Sequence, residues 1–221
     1  MQPLPSRYEH RRLLGQGGMG AVHLVFDRER GEDVALKTFA PAGLGTMSDA
    51  DLDEGRFLFK QEFWAMASLR HPNMVAAHDY GELEDGTPYM TMEIVPGHDL
   101  YEDEQPLSEA DVRQWLPGIA AALAYLHGRG YVHGDLKPEN IRLREDGVPK
   151  LMDLGLLTRA GRSGGPIRGS LLYLAPEAIK QAAVDGRADL YSVGVLAYEM
   201  LTGHLPFQAN DALALAVMHA H

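Results

Sequence analysis

The sequence predicts an α+β chain, β-rich in its first part and helical in its second. Three observations lead there. Short β-forming pieces separated by turn residues fill the first third, the character changes at Pro96 and Gly97, and longer capped segments with helical apolar spacing follow. The Pro96-Gly97 pair therefore marks the boundary between a small part, residues 1–95, and a larger part, residues 96–221.

Residues 8–15, 20–27 and 33–39 are rich in β-formers and bounded by glycine or by the charged turn at 29–32, which reads as a meander. A Gly, Pro and Ala-rich connection at 40–45 leads to a helix expected over 57–69. There Leu58, Glu62, Met66 and Leu69 recur at helical spacing, which puts Glu62 on the apolar face. Residues 75–80 and 89–95 extend the meander around a polar turn at 81–88. Ser108 with Asp111 makes a capping-box-like start to a helix running through 129, with a kink at Pro117. Residues 187–202 form a second strong helix, closed by Gly203 and Pro206, and 209–219 a third. Residues 159–169, with four glycines, read as a mobile loop.

Composition narrows the function. With 45% hydrophobic and 23% charged residues, the 221-residue chain has enough apolar material for one or two globular domains. A net charge of -11 repels the nucleic acid backbone and anionic lipid headgroups, so neither is an expected partner. Without cysteine there is no disulfide framework, thiolate metal site or cysteine nucleophile. The first twelve residues lack the basic head and apolar run of a secretory signal. The apolar stretches near 115–127 and 190–201 are interrupted and fall short of a span of about 18 residues. The chain reads as soluble and intracellular, with a cytoplasmic location.

Gly15, Gly17 and Gly20 with Val22 spell GxGxxGxV between two expected strands, where absent side chains let backbone N–H groups approach a polyphosphate. A plain hairpin carries the same glycines, but a dinucleotide fingerprint would open a helix, and 21–26 reads as a strand. Lys37 ends the apolar run Val34-Ala35-Leu36. Its ammonium either snorkels to solvent or needs a partner. Glu62, equally costly alone on its apolar face, removes both objections by pairing with it. The most specific segment is His133-Gly134-Asp135-Leu136-Lys137-Pro138-Glu139-Asn140, followed by Asp153-Leu154-Gly155. Asp135 is a base for a hydroxyl proton, Asn140 and Asp153 offer oxygen ligands suited to Mg2+, and Lys137 can reach a transferring phosphoryl group.

With these motifs the chain resembles the eukaryotic-type protein kinases over nearly its whole length, and its GQGGMGAV turn most resembles bacterial serine/threonine members. The resemblance implies a bilobal protein-kinase-like fold, a β-rich N-lobe and a helical C-lobe, and transfer of the ATP γ-phosphoryl group to a protein Ser/Thr hydroxyl. It implies that Gly15, Gly17, Gly20, Val22, Ala35 and Lys37 bind ATP together with Met92, Glu93 and Val95 of a segment like the adenine-binding hinge. It gives catalytic roles to Asp135, Lys137, Lys37 and Glu62. Ala175-Pro176-Glu177 resembles the end of an activation segment, Ser170 stands where a threonine usually touches Lys137 and the base and can make the same hydroxyl contacts, and Asp189 resembles a buried aspartate beneath the catalytic loop. No metal is expected beyond ATP-bound Mg2+, because the remaining histidines are dispersed. The acidic run at 102–104 is a solvated surface or a lure for basic peptides.

Three departures bear on mechanism. Gly134 replaces the usual arginine and removes a cation that a loop phosphate would neutralise, so loop phosphorylation is not expected to be needed. Leu154 replaces the usual phenylalanine and can fill the same apolar slot. The C-lobe reads as truncated, which predicts exposed apolar surface near 190–201 or 213–217 and self-association. Two other functions fit parts of the pattern. HGDLxxxN also occurs in aminoglycoside and choline kinase-like phosphotransferases, against which Lys137, the Ala175-Pro176-Glu177 segment and Asp189 stand. A nucleotide-binding pseudokinase scaffold would need these groups to be misplaced, since every one of them is present.

Overall fold

Short runs of β-forming residues separated by turns build the first sheet. In a computed structural model, which describes residues 3–17, 20–39, 48–100, 106–154, 156–163 and 169–220, five antiparallel strands form it. They are β1 (Tyr8–Gly17), β2 (Gly20–Asp27), β3 (Glu32–Phe39), β4 (Ala77–Glu82) and β5 (Pro88–Glu93), in the order β1-β2-β3-β5-β4. Several expected features lie outside the described residues: Gly18 and Met19 of the glycine turn, the 40–45 connection, the acidic run at 102–104, Gly155 and residues 164–168. Contacts divide the chain into two units, Met1–Arg70 with Val75–Ile94, and His71–Met74 with Val95–His221.

In the first unit, one face of the sheet closes over a core of Tyr8, Val25, Val34, Leu36, Leu83 and Tyr89, with Leu4 packed against it. Burial of a side chain such as Leu36 contributes about 1.5–3 kcal/mol. Asp27 is fully buried at the end of β2. Arg7 grips it with two nitrogens at 2.8 and 2.6 Å, and the amides of Glu29 and Arg30 complete its shell. The Arg7 guanidinium, helped by those amides, holds the Asp27 carboxyl down at about 2.

The helix expected over 57–69 is longer: α1 spans Asp49–Ser68. Ser48 caps it, accepting from the Asp51 amide while the Asp51 carboxylate accepts from the Ser48 amide. Its first turns are mainly acidic and exposed, so apolar periodicity could not find them. The strand expected at 75–80 is displaced to Ala77–Glu82.

The second unit holds α2 (Glu109–His127), capped by Ser108 with Pro117 inside it, α3 (Pro176–Ile179), α4 (Gly186–Thr202) and α5 (Ala212–Ala220). Short strands thread between them: β6 (Gly97–Asp99), β7 (Tyr131–Val132), β8 (Ile141–Arg144), β9 (Pro149–Leu151) and β10 (Thr158–Arg159). They form a β6-β8-β9 sheet and a β7-β10 pair. Runs of two to four residues carry no detectable period, and none of the five was expected. Gly97 has φ +134°, and a Cβ there would collide with the Leu143 carbonyl, so glycine permits the β6–β8 approach. Leu190 and Leu201 on α4, and Leu213 and Val217 on α5, are exposed, in line with the expected apolar surface.

Burial pushes the imidazoles of His23 and His219 below their ordinary value of 6.5, and His10, with a ring nitrogen 3.3 Å from His23, adds to the effect at His23. A depressed imidazole means that the unfolded chain binds protons that the folded chain refuses. This stability is complete above the unfolded value and is lost as pH falls through the folded ones. The urea midpoint is therefore expected to drop on acidification from about pH 7.5 to about 5.5, and His219→Asn should flatten the slope. A midpoint constant across that window would contradict the assignment.

Candidate active site

Strand register gathers the glycine-turn and lysine residues on one face of the first sheet. Gly15 stands opposite Val22, Val22 opposite Lys37, and Ala35 opposite Met92. Gly17 and Gly20 pair at the mouth of the β1–β2 turn. This is the face opposite the Tyr8 core, because Leu36 and Val34 alternate with Lys37 and Ala35 along β3. The helix α1 brings Glu62 to it, with the Lys37 Nζ 2.7 Å from Glu62 Oε1. Both side chains are largely withdrawn from solvent, 16% and 6% exposed, so each offsets the desolvation of the other. Glu93 pairs with Val34 on the opposite face, and its carboxylate accepts from the Ala76 amide at 2.8 Å.

In the second unit, one buried carboxylate organises the loop after β7. Asp189, 1% exposed on α4, accepts from the His133 amide and the Gly134 amide, each at 2.9 Å. The His127 Nε2 lies 2.7 Å from the same carboxylate. Gly134 has φ +78°, a conformation that glycine adopts without cost. Beyond this anchor the loop turns Asp135 toward three donors. Lys137 Nζ is 3.2 Å from Asp135 Oδ2, the Asn140 side-chain amide donates to the same oxygen at 3.1 Å, and the Ser170 amide donates to Oδ1 at 2.8 Å.

Backbone geometry shapes this cluster further. The Met152 amide donates to the Asn140 carbonyl at 2.8 Å, which brings the next residue, Asp153, beside Asn140 along the backbone. Asp153 has φ +50°, a costly conformation for a non-glycine residue that concentrates at functional sites. Leu154 behind it is fully buried, as an apolar slot requires. Gly169, at φ +97°, lets the Ser170 amide reach Asp135, since a Cβ there would lie 2.7 Å from the Gly134 carbonyl. The expected Ser170 hydroxyl contact is corrected: the backbone N–H makes the bond, because the turn at Gly169 presents the main chain to the carboxylate.

Sequence reading also missed Arg142 and His127. Arg142, on β8, donates to the Val95 carbonyl at 2.8 Å and to Asp99, and no motif or apolar period in the sequence marks it. His127 is separated from Asp189 by 62 residues, beyond local pattern reading.

The groups suit phosphate chemistry. Asn140 spends its Nδ2 on Asp135, which leaves Oδ1 for an oxygen-seeking cation, and Asp153 supplies a carboxylate on the neighbouring backbone. Among the described residues no cluster of three or more acidic or histidine side chains makes a metal site by itself.

A β-sheet unit with a lysine–glutamate pair and a helical unit with an anchored Asp-Leu-Lys-Pro-Glu-Asn loop together define a kinase-type domain. The chain belongs to the protein kinase domain family, whose model matches residues 8–220. It is 36% identical over 231 residues to the probable serine/threonine-protein kinase PknB of Bifidobacterium longum, covering 97% of this chain and 33% of that protein. It is 39% identical over 234 residues to the serine/threonine-protein kinase PksC of Streptomyces coelicolor, covering 97% and 40%. With pkn3 of Myxococcus xanthus the figures are 34% over 232 residues, covering 96% and 41%. The chain thus spans 33% to 41% of the length of these relatives. Protein kinases use ATP and Mg2+ and act on proteins.

Asp189→Asn turns one acceptor into a donor facing a buried N–H or imidazole. The expected loss is about 3 kcal/mol of stability in urea melts, because an unsatisfied group is left buried in a network. Stability within about 0.5 kcal/mol of wild type would show that the loop does not depend on this carboxylate.

Proposed function

We propose that this domain transfers the γ-phosphoryl group of ATP, with Mg2+, to a serine or threonine hydroxyl of a protein. The observation that carries the reading is the Asp135 carboxylate, held by the amides of Ser170 and Asn140 with Lys137 3.2 Å away. A carboxylate so oriented accepts the proton of the attacking hydroxyl as the new O–P bond forms and the bond to the ADP oxygen breaks. Lys137 offsets charge on the transferring group. Lys37, fixed by Glu62, serves the other phosphates. Gly15, Gly17 and Gly20 offer backbone amides to them, while Val22, Ala35, Met92, the main chain of Glu93 and Val95 receive the base. Asn140 and Asp153 would hold Mg2+, which when bound neutralises phosphate charge.

The names of the bacterial relatives support serine/threonine specificity. A protein substrate is favoured over an aminoglycoside because Lys137 and the Ala175-Pro176-Glu177 segment accompany the catalytic loop. A scaffold role is disfavoured because Lys37 and Glu62 are paired and Asp135 is oriented. No described helix is long and apolar enough to cross a membrane, and a cytoplasmic location would supply the ATP that the proposed reaction consumes. The acidic net charge gives no means of recruiting nucleic acid.

The test is radiolabelled ATP with purified protein, using a generic basic protein and kanamycin as acceptors. Lys37→Met and Asp153→Ala are expected to reduce transfer to less than about a tenth of wild type while the protein stays folded. Asp135→Asn should lose transfer and keep nucleotide affinity, since the base acts on the hydroxyl. Phosphorylated kanamycin with unlabelled protein would overturn the substrate class. Wild-type turnover in Lys37→Met or Asp153→Ala would overturn the assigned roles.

The exposed Leu190, Leu201, Leu213 and Val217 make a second copy of the chain the partner to examine first. Sedimentation velocity is expected to show concentration-dependent association that Leu213→Asp weakens. A monodisperse monomer at high concentration would refute it.

A further inference from the structure

The segment after residue 94 is short of backbone hydrogen bonds. Pro96 has no N–H to give, and β6 is three residues long with a single neighbour, β8. A three-residue strand on one edge does not fix the two residues before it. Yet Val95 is buried, and Leu100 just beyond the strand is buried as well. The side chain that supplies the missing order is Arg142. Its Nε donates to the Val95 carbonyl at 2.8 Å, its Nη2 to the Gly97 carbonyl at 2.5 Å, and its Nη1 to the Asp99 carboxylate at 2.6 Å. One planar guanidinium thus spends three nitrogens on three acceptors spread over five residues. A lysine has one nitrogen and no such fork.

The hydrogen bonding of Val95 is consequently one-sided. Its carbonyl is taken by Arg142, and among the described residues its N–H donates to no protein acceptor. A buried N–H without a partner is costly unless a ligand takes it. Arg142 sits two residues after Asn140 on β8, so the strand that leaves the catalytic loop also fixes the segment carrying Val95.

We propose that Arg142 is a positioning residue for the nucleotide base: by holding the carbonyls of Val95 and Gly97 it fixes the Val95 N–H as the donor offered to adenine. The inference rests on the reading of Val95 as a base-binding residue. The partners of Arg142 are Val95, Gly97 and Asp99, none of them assigned to the phosphates or the metal. Its loss should therefore weaken recognition of the base and leave binding of a bare polyphosphate alone.

The experiment compares equilibrium binding of MgATP and of magnesium tripolyphosphate to wild type, Arg142→Met and Arg142→Lys, with thermal melts alongside. Wild type is expected to prefer MgATP. Arg142→Met should bind MgATP about tenfold more weakly, with tripolyphosphate affinity unchanged within about twofold. In the transfer assay its KM for ATP should rise about tenfold while kcat falls less than about threefold. Arg142→Lys should recover less than half of the lost affinity on a logarithmic scale, and it keeps the test available if the methionine variant misfolds. MgATP affinity within twofold of wild type in both variants would overturn the role of Arg142. A parallel loss of both ligands would overturn it too, by showing a general structural effect. A wild type that does not distinguish MgATP from tripolyphosphate would instead overturn the base-binding reading of Val95, and the inference with it.

Discussion

The carboxylate of Asp189 is the constraint on which the catalytic loop depends. The loop leaves β7 through His133 and Gly134, two residues whose amides would otherwise be buried without partners, and Asp189 accepts from both. Because the carboxylate has two oxygens, it fixes the orientation of two successive peptide planes and not merely the position of one. Asp135 follows immediately, so its direction is set from beneath before Lys137, Asn140 and Ser170 reach it. A loop held only by its own side chains would be soft. Here a helix residue nearly sixty positions away supplies the rigidity, and α4 exposes its other side to solvent at Leu190 and Leu201.

Glycine completes the arrangement by a different route. Gly134 turns the chain at φ +78°, and Gly169 at φ +97° brings the Ser170 amide against Asp135. At both positions an L side chain would be strained, and at Gly169 it would also meet the Gly134 carbonyl. The departure at Gly134 therefore has a conformational meaning beside the missing cation. Asp153 accepts the same left-handed region without the benefit of glycine, and the strain there coincides with the carboxylate assigned to the metal.

What could be read from sequence follows the range of the interaction concerned. Lys37 and Glu62 were legible because each, alone in an apolar setting, presents a cost that the other removes, and the 4, 4, 3 spacing put Glu62 on the buried face. The strands up to Phe39 were legible from short runs of β-forming residues bounded by glycine or charged turn residues. The start of α1 was not, because Ser48 and Asp51 cap turns that bury little. The five short strands of the second unit escaped for want of any period. Ser170 was placed beside Asp135 correctly but with the wrong atom, since the choice between hydroxyl and amide lies in the φ of Gly169.

The same physical device appears in both units, and the comparison explains why Arg142 differs from both. Asp27 collects Arg7 and two turn amides, and Asp189 collects two loop amides and an imidazole. In each case a buried acceptor gathers donors that the backbone of a turn exposes. Val95 and Gly97 present the opposite problem, because there the exposed groups are carbonyls. A carboxylate would repel them, and an amide side chain has too few donors to serve both and still face Asp99. An arginine meets all three because its donors are fixed in one plane and its charge is neutralised by the Asp99 carboxylate. The residue type at position 142 is thus set by the sign of the backbone groups it must satisfy, while the apolar neighbours Ile141 and Leu143 face the core.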